Sequence, residues 1–597
     1  MEKTSLPSWD MSVVYPGLDS PEFERDFRSF VRALDELEGM FDNAQIDRTE
    51  HPLKPELAVQ VFEAVVPAFN SLNDQAWTLG AYIYSFITTD SRDEYAQMRL
   101  SEMERQSVRL SKLSTRLTAW VGTQDTEALI ERSELARAHA YWVRRSRVLA
   151  EHMMSPAEEA LATEMSLTGS SAWSKLYGNL SSQITVEVAI RGETQRLPMS
   201  MVRNLAYDPD RTVREAGYRA ELEAWQQHAL PIASALNSIK GETNLLMRRR
   251  GWRDALEASL FRNAIDEATL DAMMTAAHES FPHFRRYLKA KAHALGITQC
   301  AWYDIFAPVG KGGRQWEYDE AKQFIIEQFG TYSQKMSDFA RRAFEEDWID
   351  APPKPGKRDG AFCMRLRKDE SRILTNYKPA FGGVSTLAHE LGHAYHNLCL
   401  AERTFLQRQT PMTLAETASI FCETIIRQSA LQHADREEQV AILEASLQGA
   451  CQVVVDITSR FLFEKTVFER RHERELSTSE LCEIMRNAQL ETYGDGLDPE
   501  ALHPFMWCAK PHYYGSAFYN YPYMFGLLFG LGLYALYLDD PDGFRSRYDD
   551  LLSSTGLADA QTLAQQFGFD LSTPTFWRNS LEVIRTDVDR FAELVGA

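Results

Sequence analysis

The chain of 597 residues has few cysteines, and their spacing does not indicate a framework of disulfide bonds. The seven cysteines are scattered, odd in number and contain no CxxC pair, which is untypical of a disulfide-stabilised protein. The first residues, Met1 to Pro16, also lack the apolar run of a signal peptide. We therefore expect a reduced protein that stays in the cytoplasm.

Positive charge is in deficit along the chain. Lysine and arginine total 64 against 85 acidic residues, so the formal net charge is −21. An acidic surface repels phosphate, which argues against a nucleic-acid partner. We find no repeat and no low-complexity tail, and the 44% hydrophobic content is typical of a globular protein.

Charged residues are absent from residue 515 to residue 538, a stretch long enough for a transmembrane helix. Pro522 interrupts this stretch, and its tyrosines are spread along the region instead of lying at its two ends. A buried helix that enters a tyrosine-lined pocket fits this pattern better. We therefore expect no membrane partner.

Helical periodicity dominates the chain up to about residue 190, with apolar residues three and four positions apart. Alternation over residues 183–199 predicts a short pair of strands, and we place a domain boundary there. The prediction is an N-terminal helical domain at 1–190 and a catalytic domain at 191–597. Two further strands are predicted at Ala361–Met364 and Arg372–Tyr377. Gly382-Gly383 is then predicted to break the chain, ahead of a helix that starts near Ser385 or Thr386. The fold class is thus mostly α with a small β-sheet.

The most informative motif is His389-Glu390-Leu391-Gly392-His393, because two histidines four residues apart lie on one face of a helix. Both imidazoles can reach one Zn²⁺, and Glu390 can activate a zinc-bound water. We expect on the order of 0.02 accidental matches in a chain with this histidine content. The surrounding apolar residues indicate a mostly buried helix, where unpartnered polar side chains would be costly.

A catalytic zinc needs a third protein ligand and an open position for water. His396 shares the face, but three imidazoles over about 10 Å of straight helix can hardly converge on one ion. His396 is therefore predicted either to contact the metal ligands without binding the metal itself or to pack in the core. Glu416 is the better candidate, inside the second turn of a helix predicted from about residue 411. The alternative is a local capping box that starts at Thr413.

Glu423 follows Glu416 by seven residues and shares its predicted helix face. It can orient a metal-bound histidine by accepting a hydrogen bond from the ring nitrogen that does not bind the metal. An ordinary salt bridge explains the residue equally well, and both interpretations stay open.

Several segments together resemble one known family. They are His389–His396 (HELGHAYH), Ala415–Ser419 (AETAS), Gly356–Phe362 (GKRDGAF), Ile373–Tyr377 (ILTNY), Trp302–Asp304 (WYD) and Trp9–Pro16 (WDMSVVYP). The chain is similar to the M3 family of zinc metallopeptidases, in its oligoendopeptidase F branch. The resemblance implies a helical ellipsoid with a deep central channel, one zinc ion per chain at its floor, and short unstructured peptides as substrates.

The same resemblance implies that His512 and the nearby tyrosines Tyr519 and Tyr521 stabilise the oxyanion of the reaction. For any single tyrosine, an aromatic core patch is the simpler interpretation, and the spacing does not rank the two tyrosines. The strand at Gly360-Ala361-Phe362 is predicted to bind an extended peptide through main-chain hydrogen bonds.

The predicted function is therefore a zinc endopeptidase in which Glu390 activates the water molecule and passes its proton to the leaving amine. One alternative is a metallocarboxypeptidase, which needs a cationic group for the free carboxylate of its substrate. The other is a peptide-binding protein with a structural zinc. The oligomeric state, the cleavage preference and any motion of the lobes do not follow from the sequence.

Overall fold

The structure, a computed structural model, describes residues 6–310 and 314–597, and residues 1–5 and 311–313 lie outside it. The chain is 71% helical, which confirms the predicted mostly α fold. The α-helices of the described residues are, in chain order, α1 (Pro21–Asn43), α2 (Pro55–Thr89), α3 (Glu94–Thr123), α4 (Thr126–Arg132), α5 (Glu134–Ala138), α6 (Ala140–Glu151), α7 (Pro156–Ser166), α8 (Ser170–Gln183), α9 (Met199–Asn204), α10 (Arg211–Arg249), α11 (Ala255–Arg262), α12 (Glu267–Ala294), α13 (Tyr318–Tyr332), α14 (Gln334–Glu345), α15 (Phe381–Cys399), α16 (Met412–Ala415), α17 (Thr417–His433), α18 (Arg436–Cys451), α19 (Ile457–Arg471), α20 (Thr478–Tyr493), α21 (Met506–Ala509), α22 (His512–Gly515), α23 (Tyr521–Asp539), α24 (Pro541–Ser553), α25 (Ala560–Gln566) and α26 (Pro574–Val595).

In the described part of the chain, two small sheets accompany the helices. Strands β1 (Thr185–Ile190) and β2 (Glu193–Pro198) form an antiparallel hairpin, which confirms the strand pair predicted over residues 183–199. Strands β3 (Ile349–Asp350), β4 (Phe362–Arg367) and β5 (Glu370–Leu374) form the second sheet in the order β3-β5-β4. Strand β5 is parallel to β3 and antiparallel to β4, so β4 lies at an edge of this sheet.

The chain divides into two compact units, each built from separate stretches. Unit 1 contains Met1–Met153, Gln315–Ser429 and Leu536–Phe567. Unit 2 contains Met154–Arg314, Ala430–Ala535 and Gly568–Ala597. The predicted domain boundary near residue 190 stays a prediction.

The core of unit 1 is a helical bundle that begins with α1. The Ser20 side chain accepts a hydrogen bond from the Phe23 N–H, and Pro21 occupies the first turn, so the helix start is capped. The residues that α1 buries recur every three or four positions and pack against α2 and α3; they are Phe23, Phe27, Phe30, Leu34, Leu37 and Phe41. Helix α2 also packs against β4, so the bundle supports the sheet.

Helix α15 begins at Phe381, earlier than the predicted start near Ser385 or Thr386. We interpreted Gly382-Gly383 as a break, and that was wrong, because both glycines lie in the first turn. A Cβ on Gly383 would lie 2.3 Å from the carbonyl oxygen of Lys378. The glycine is therefore needed for close packing at the start of the helix and does not interrupt it.

The core of unit 2 is arranged around the long helix α10, which packs against α19 and α20. A buried ion pair links α10 to α19, with 2.6 Å between Lys240 Nζ and Glu464 Oε1. The same carboxylate oxygen accepts a hydrogen bond from the Phe518 N–H. Because Glu464 binds the backbone at this point, the segment between α22 and α23 is held against the core.

Among the residues that the structure describes, two helical stretches are long and apolar enough to cross a membrane by length and composition alone: Arg436–Arg471 and Tyr521–Asp539. In these stretches 56% and 61% of the apolar window is buried inside the protein. Burial of this extent is what core helices show, as predicted for the uncharged stretch at 515–538.

Candidate metal centre

The metal motif lies on α15, and a single glycine brings the next helix close to it. A Cβ on Gly392 would lie 2.6 Å from both the carbonyl oxygen of Ala418 and the Cα of Ser419. Only a residue without a side chain allows α15 and α17 to approach this closely. Residue 392, which the motif leaves free in principle, is therefore constrained in this chain.

The approach of the two helices brings together the predicted ligands. The Nε2 atoms of His389 and His393 each lie 3.3 Å from Oε2 of Glu416. The three potential ligand atoms all lie within 4.8 Å of one another. Two imidazole nitrogens and one carboxylate oxygen are the donor set of catalytic zinc sites, so these residues fit the predicted ion.

Glu416 lies in a different local structure from the predicted one. It was expected inside the second turn of a helix from about residue 411, and that is wrong. The short helix α16 ends at Ala415, and α17 starts at Thr417. Glu416 lies at this junction, where its backbone leaves the first helix, and its side chain accepts a hydrogen bond from Ser419 Oγ at 2.6 Å.

Glu423 lies behind the first histidine of the motif. Its Oε2 is 3.1 Å from Nδ1 of His389, and its Oε1 accepts a hydrogen bond from Ser385 Oγ at 2.9 Å. A carboxylate that accepts a hydrogen bond from Nδ1–H keeps the proton on Nδ1, which leaves Nε2 available to bind a metal ion. The contact has the geometry that an orienting role requires and is also within ion-pair distance, so the role of Glu423 stays a prediction.

His396 lies away from the three ligand atoms and is fully buried. Its Nε2 lies 2.9 Å from Thr555 Oγ1 and 3.1 Å from the carbonyl oxygen of Leu552, and the ring also hydrogen-bonds to the backbone of Ala415. Burial lowers the pKa of His396 to about 4, so the ring is neutral at pH 7. The ring therefore supports the backbone next to Glu416.

Glu390, between the two histidines, is almost completely buried at 6% exposure. Burial raises the pKa of its carboxyl above the ordinary value, and the two neighbouring histidines partly oppose this shift. The carboxylate also accepts a hydrogen bond from the backbone N–H of Cys363 in β4. A carboxyl with a raised pKa at a fixed position is what a general base requires.

These residues line a cavity of about 1240 Å³ in unit 1. His389, Glu390, His393 and Glu416 line it together with residues 361–365 of the edge strand. Residues of α2 and α3, among them Trp77 and Glu104, also line the cavity. A cavity of this size admits several residues of an extended peptide.

The predicted substrate-binding segment overlaps the start of β4. Gly360 precedes the strand, and its carbonyl accepts a hydrogen bond from the Asn376 side chain. Phe362 pairs with Leu374 of β5. Ala361, which lies between these two residues, lines the cavity. By the alternation of a strand, its main-chain N–H and C=O groups point away from β5, toward the edge of β4 that carries no neighbouring strand.

The predicted oxyanion residues lie in unit 2 and divide into two groups. The rings of His512 and Tyr519 stack with their centroids 4.8 Å apart, and the Tyr523 hydroxyl donates to the Tyr519 hydroxyl at 3.2 Å. Burial and two nearby cations lower the pKa of His512. Tyr521 is fully buried, with its hydroxyl 3.1 Å from Nδ2 of Asn263 and 3.3 Å from Oγ of Ser259. The structure therefore brings His512 and Tyr519 together and places Tyr521 in a polar core contact.

Sequence reasoning missed Ser385, Ser419 and the Cys363 N–H, which all bind site carboxylates. The position of Ser385, one helical turn before His389, was a usable signal. The other two contacts depend on how α17 and β4 approach α15, and no local pattern encodes that.

Comparison with known proteins places these observations in a family. The model of peptidase family M3 matches residues 204–583, and a model described as oligopeptidase F matches residues 121–185. An oligoendopeptidase F homolog of Lactococcus lactis subsp. lactis is 25% identical over 452 residues, which is 74% of each chain. Oligopeptidase PepF of Bacillus subtilis is 24% identical over 452 residues, 74% of this chain and 67% of that one.

Solved structures show the same fold. A structure described as a peptidase from Chlamydophila abortus superposes with a TM-score of 0.84 at 20% identity and covers 98% of each chain. Oligoendopeptidase F from Enterococcus faecium gives a TM-score of 0.69 at 17% identity and covers 96% of this chain and 99% of that one. Because the M3 model alone spans more than half of the sequence, the chain belongs to peptidase family M3, in its oligoendopeptidase F branch, and is a metalloendopeptidase.

Proposed function

We propose that this chain is a zinc-dependent oligopeptidase that hydrolyses short, unstructured peptides at the centre formed by His389, His393 and Glu416. The observation that carries the proposal is the convergence of these three side chains beside a buried glutamate in the wall of a cavity. The membership in family M3 supports the same chemistry.

Zinc is the ion that best fits the ligands. His389 and His393 would bind it through Nε2, and Glu416 would bind it through a carboxylate oxygen. Glu423 would keep the proton of His389 on Nδ1, so that Nε2 stays available to the metal. Bound zinc would lower the pKa of a water molecule and polarise the carbonyl of the peptide bond.

Glu390 is proposed as the general base. Its carboxylate would accept a proton from the attacking water molecule and donate it to the nitrogen of the leaving amine. The raised pKa of Glu390 supports both steps, because a stronger base accepts the proton and the resulting acid is still able to release it. The hydrogen bond from the Cys363 N–H fixes the position of the carboxylate.

His512 and Tyr519 are proposed to donate hydrogen bonds to the oxyanion. The support is the resemblance to the family together with the stacked arrangement of the two rings. Tyr521 is the weaker of the two tyrosine candidates, because Ser259 and Asn263 already contact its hydroxyl.

An extended substrate is proposed to bind along the open edge of β4, with Ala361 as its first main-chain partner. Main-chain hydrogen bonds depend little on the side chains of the substrate, so we expect peptides of many sequences to bind. We further propose that the protein acts in the cytoplasm, because all seven cysteines are free thiols.

The test is turnover of an internally quenched fluorescent peptide that is blocked at both ends. The wild-type protein with zinc should cleave it, whereas Glu390→Gln should bind one zinc per chain and lose nearly all turnover. Glu402→Gln, the same change at an exposed residue of unit 1, is the matched control. Retained turnover in Glu390→Gln would remove the assigned base. Cleavage only of peptides with a free C-terminal carboxylate would favour the carboxypeptidase alternative.

A further inference from the structure

The open edge of β4 is defined by the pairing of β5. The N–H groups of Ile373 and Thr375 donate to carbonyls of Trp348 and Asp350, so these residues of β5 face β3. Cys363 lies opposite Ile373 in the antiparallel pair with β4. The main-chain N–H and C=O groups of successive residues in a strand point to opposite sides. Those of Cys363 and Arg365 therefore point to the open edge. The hydrogen bond from the Cys363 N–H to Glu390 agrees with this assignment.

One side chain already occupies this edge at Arg365. The indole N–H of Trp77 on α2 donates a hydrogen bond to the backbone carbonyl of Arg365 at 2.8 Å. Asp74, one turn earlier on α2, lies 3.5 Å from the guanidinium of the same residue. Helix α2 therefore binds both the backbone and the side chain of Arg365. Trp77 is still 47% exposed and lines the cavity that contains Glu390.

The strand edge beyond Arg365 is also closed to a further strand. The register of β4 against β5 shifts between Arg365 and Arg367, and such irregularities turn an edge away from continued pairing. The Arg367 guanidinium also donates to the carbonyl of Val13 at 3.1 Å. The usable edge thus extends from Ala361 to the carbonyl that Trp77 covers.

We propose that Trp77 is a specificity-determining residue that ends the pairing of a peptide substrate with β4. This inference rests on the proposed function of the site. In an antiparallel arrangement, the peptide residues that approach Arg365 lie on the N-terminal side of the residue opposite Cys363. Two residues of strand span about 7 Å, so only a short N-terminal part of the substrate gains main-chain hydrogen bonds.

The test is peptide binding, which does not require turnover. One series of peptides keeps a common central sequence and is extended one residue at a time at the N-terminus; a second series is extended at the C-terminus. Each peptide is titrated into zinc-loaded Glu390→Gln protein, with and without Trp77→Phe, and Kd is measured by fluorescence anisotropy. Trp77→Phe keeps an aromatic ring but removes the N–H donor.

In protein with Trp77, Kd should stop decreasing once the N-terminal extension reaches Arg365. Trp77→Phe should bind that peptide roughly two- to tenfold more tightly, the value of one main-chain hydrogen bond, and should bind shorter peptides unchanged. Trp77→Ala should extend the gain to the next residue, because the ring no longer fills the space. Leu57→Ala is the matched control, because Leu57 lies on the same helix, is also 47% exposed and does not line the cavity.

Equal Kd values with and without the indole across the N-terminal series would overturn the inference. Weaker binding of long peptides by Trp77→Phe and Trp77→Ala would overturn it too, because the ring would then be a binding surface. A change confined to the C-terminal series would contradict the antiparallel orientation. Turnover of the central peptide by protein with Glu390 tests the proposed function separately, so the two failures are distinguishable.

Discussion

Replacement of Gly392 by alanine tests how the metal centre is assembled. The added Cβ would lie 2.6 Å from the backbone of Ala418 and Ser419, about 0.8 Å short of the 3.4 Å at which ordinary van der Waals contact begins. Backbone atoms cannot rotate away, so α17 must move relative to α15. Glu416 lies two residues before Ala418 and is expected to move with it.

A shift of this size is large for a metal site, where ligand distances hold within about 0.2 Å. We expect Gly392→Ala to weaken zinc binding by about 10- to 100-fold, with a matching loss of turnover at limiting zinc. The overpacking should also lower the free energy of unfolding by about 1–3 kcal/mol. Competition with a chromogenic chelator measures the zinc affinity, and circular dichroism shows whether the variant is folded.

Gly382→Ala is the matched control, because Gly382 lies on the same helix and has nothing within 4 Å of the added Cβ. It should bind zinc and turn over substrate as the wild type does. A folded Gly392→Ala variant with wild-type zinc affinity and turnover would show that this glycine does not set the position of Glu416.

Three further predictions concern single side chains. Glu423→Ala should weaken zinc binding by about 10- to 100-fold, measured by the same competition, because His389 loses the partner of its Nδ1; unchanged affinity would exclude the orienting role. Tyr519→Phe should lower kcat by about 100-fold with little change in KM, measured by steady-state kinetics. Tyr521→Phe should mainly lower the free energy of unfolding, by about 1 kcal/mol, measured by thermal unfolding. The reverse pattern would exchange the roles of the two tyrosines. Burial lowers the pKa of His139 in the folded protein below the value of about 6.5 that histidine has in an unfolded chain. At a pH below about 6.5 the unfolded chain therefore binds more protons than the folded protein, so the free energy of unfolding falls as the pH decreases. His139→Gln should reduce that loss between pH 7 and pH 5 in thermal unfolding, and an unchanged pH dependence would show that His139 does not contribute.

Patterns within one helix could be predicted from the sequence. The spacing of His389 and His393 indicates the side chains that meet on one face of α15, and alternation over residues 183–199 indicates the β1–β2 hairpin. Both depend only on the local geometry of a helix or a strand. The predicted start of α15 was less accurate, because Gly382-Gly383 is equally compatible with a break in the chain and with close packing inside a helix.

Contacts between distant segments could not be predicted. The position of Glu416 between α16 and α17 follows from the approach that Gly392 allows, which no periodicity encodes. Trp77 and Arg365 are 288 residues apart in sequence, and their hydrogen bond depends on how α2 packs on β4. The choice between Tyr519 and Tyr521 likewise required the surroundings of each hydroxyl.

We propose that one zinc ion, held by His389, His393 and Glu416, makes this chain a peptidase. The most direct measurement is titration of metal-free protein with zinc while bound metal and cleavage of the blocked fluorescent peptide are followed together. We expect that turnover rises in proportion to bound zinc and saturates at one equivalent per chain, and that Glu416→Ala neither retains the metal nor regains turnover. Full turnover without metal, or a full zinc complement in Glu416→Ala, would contradict it.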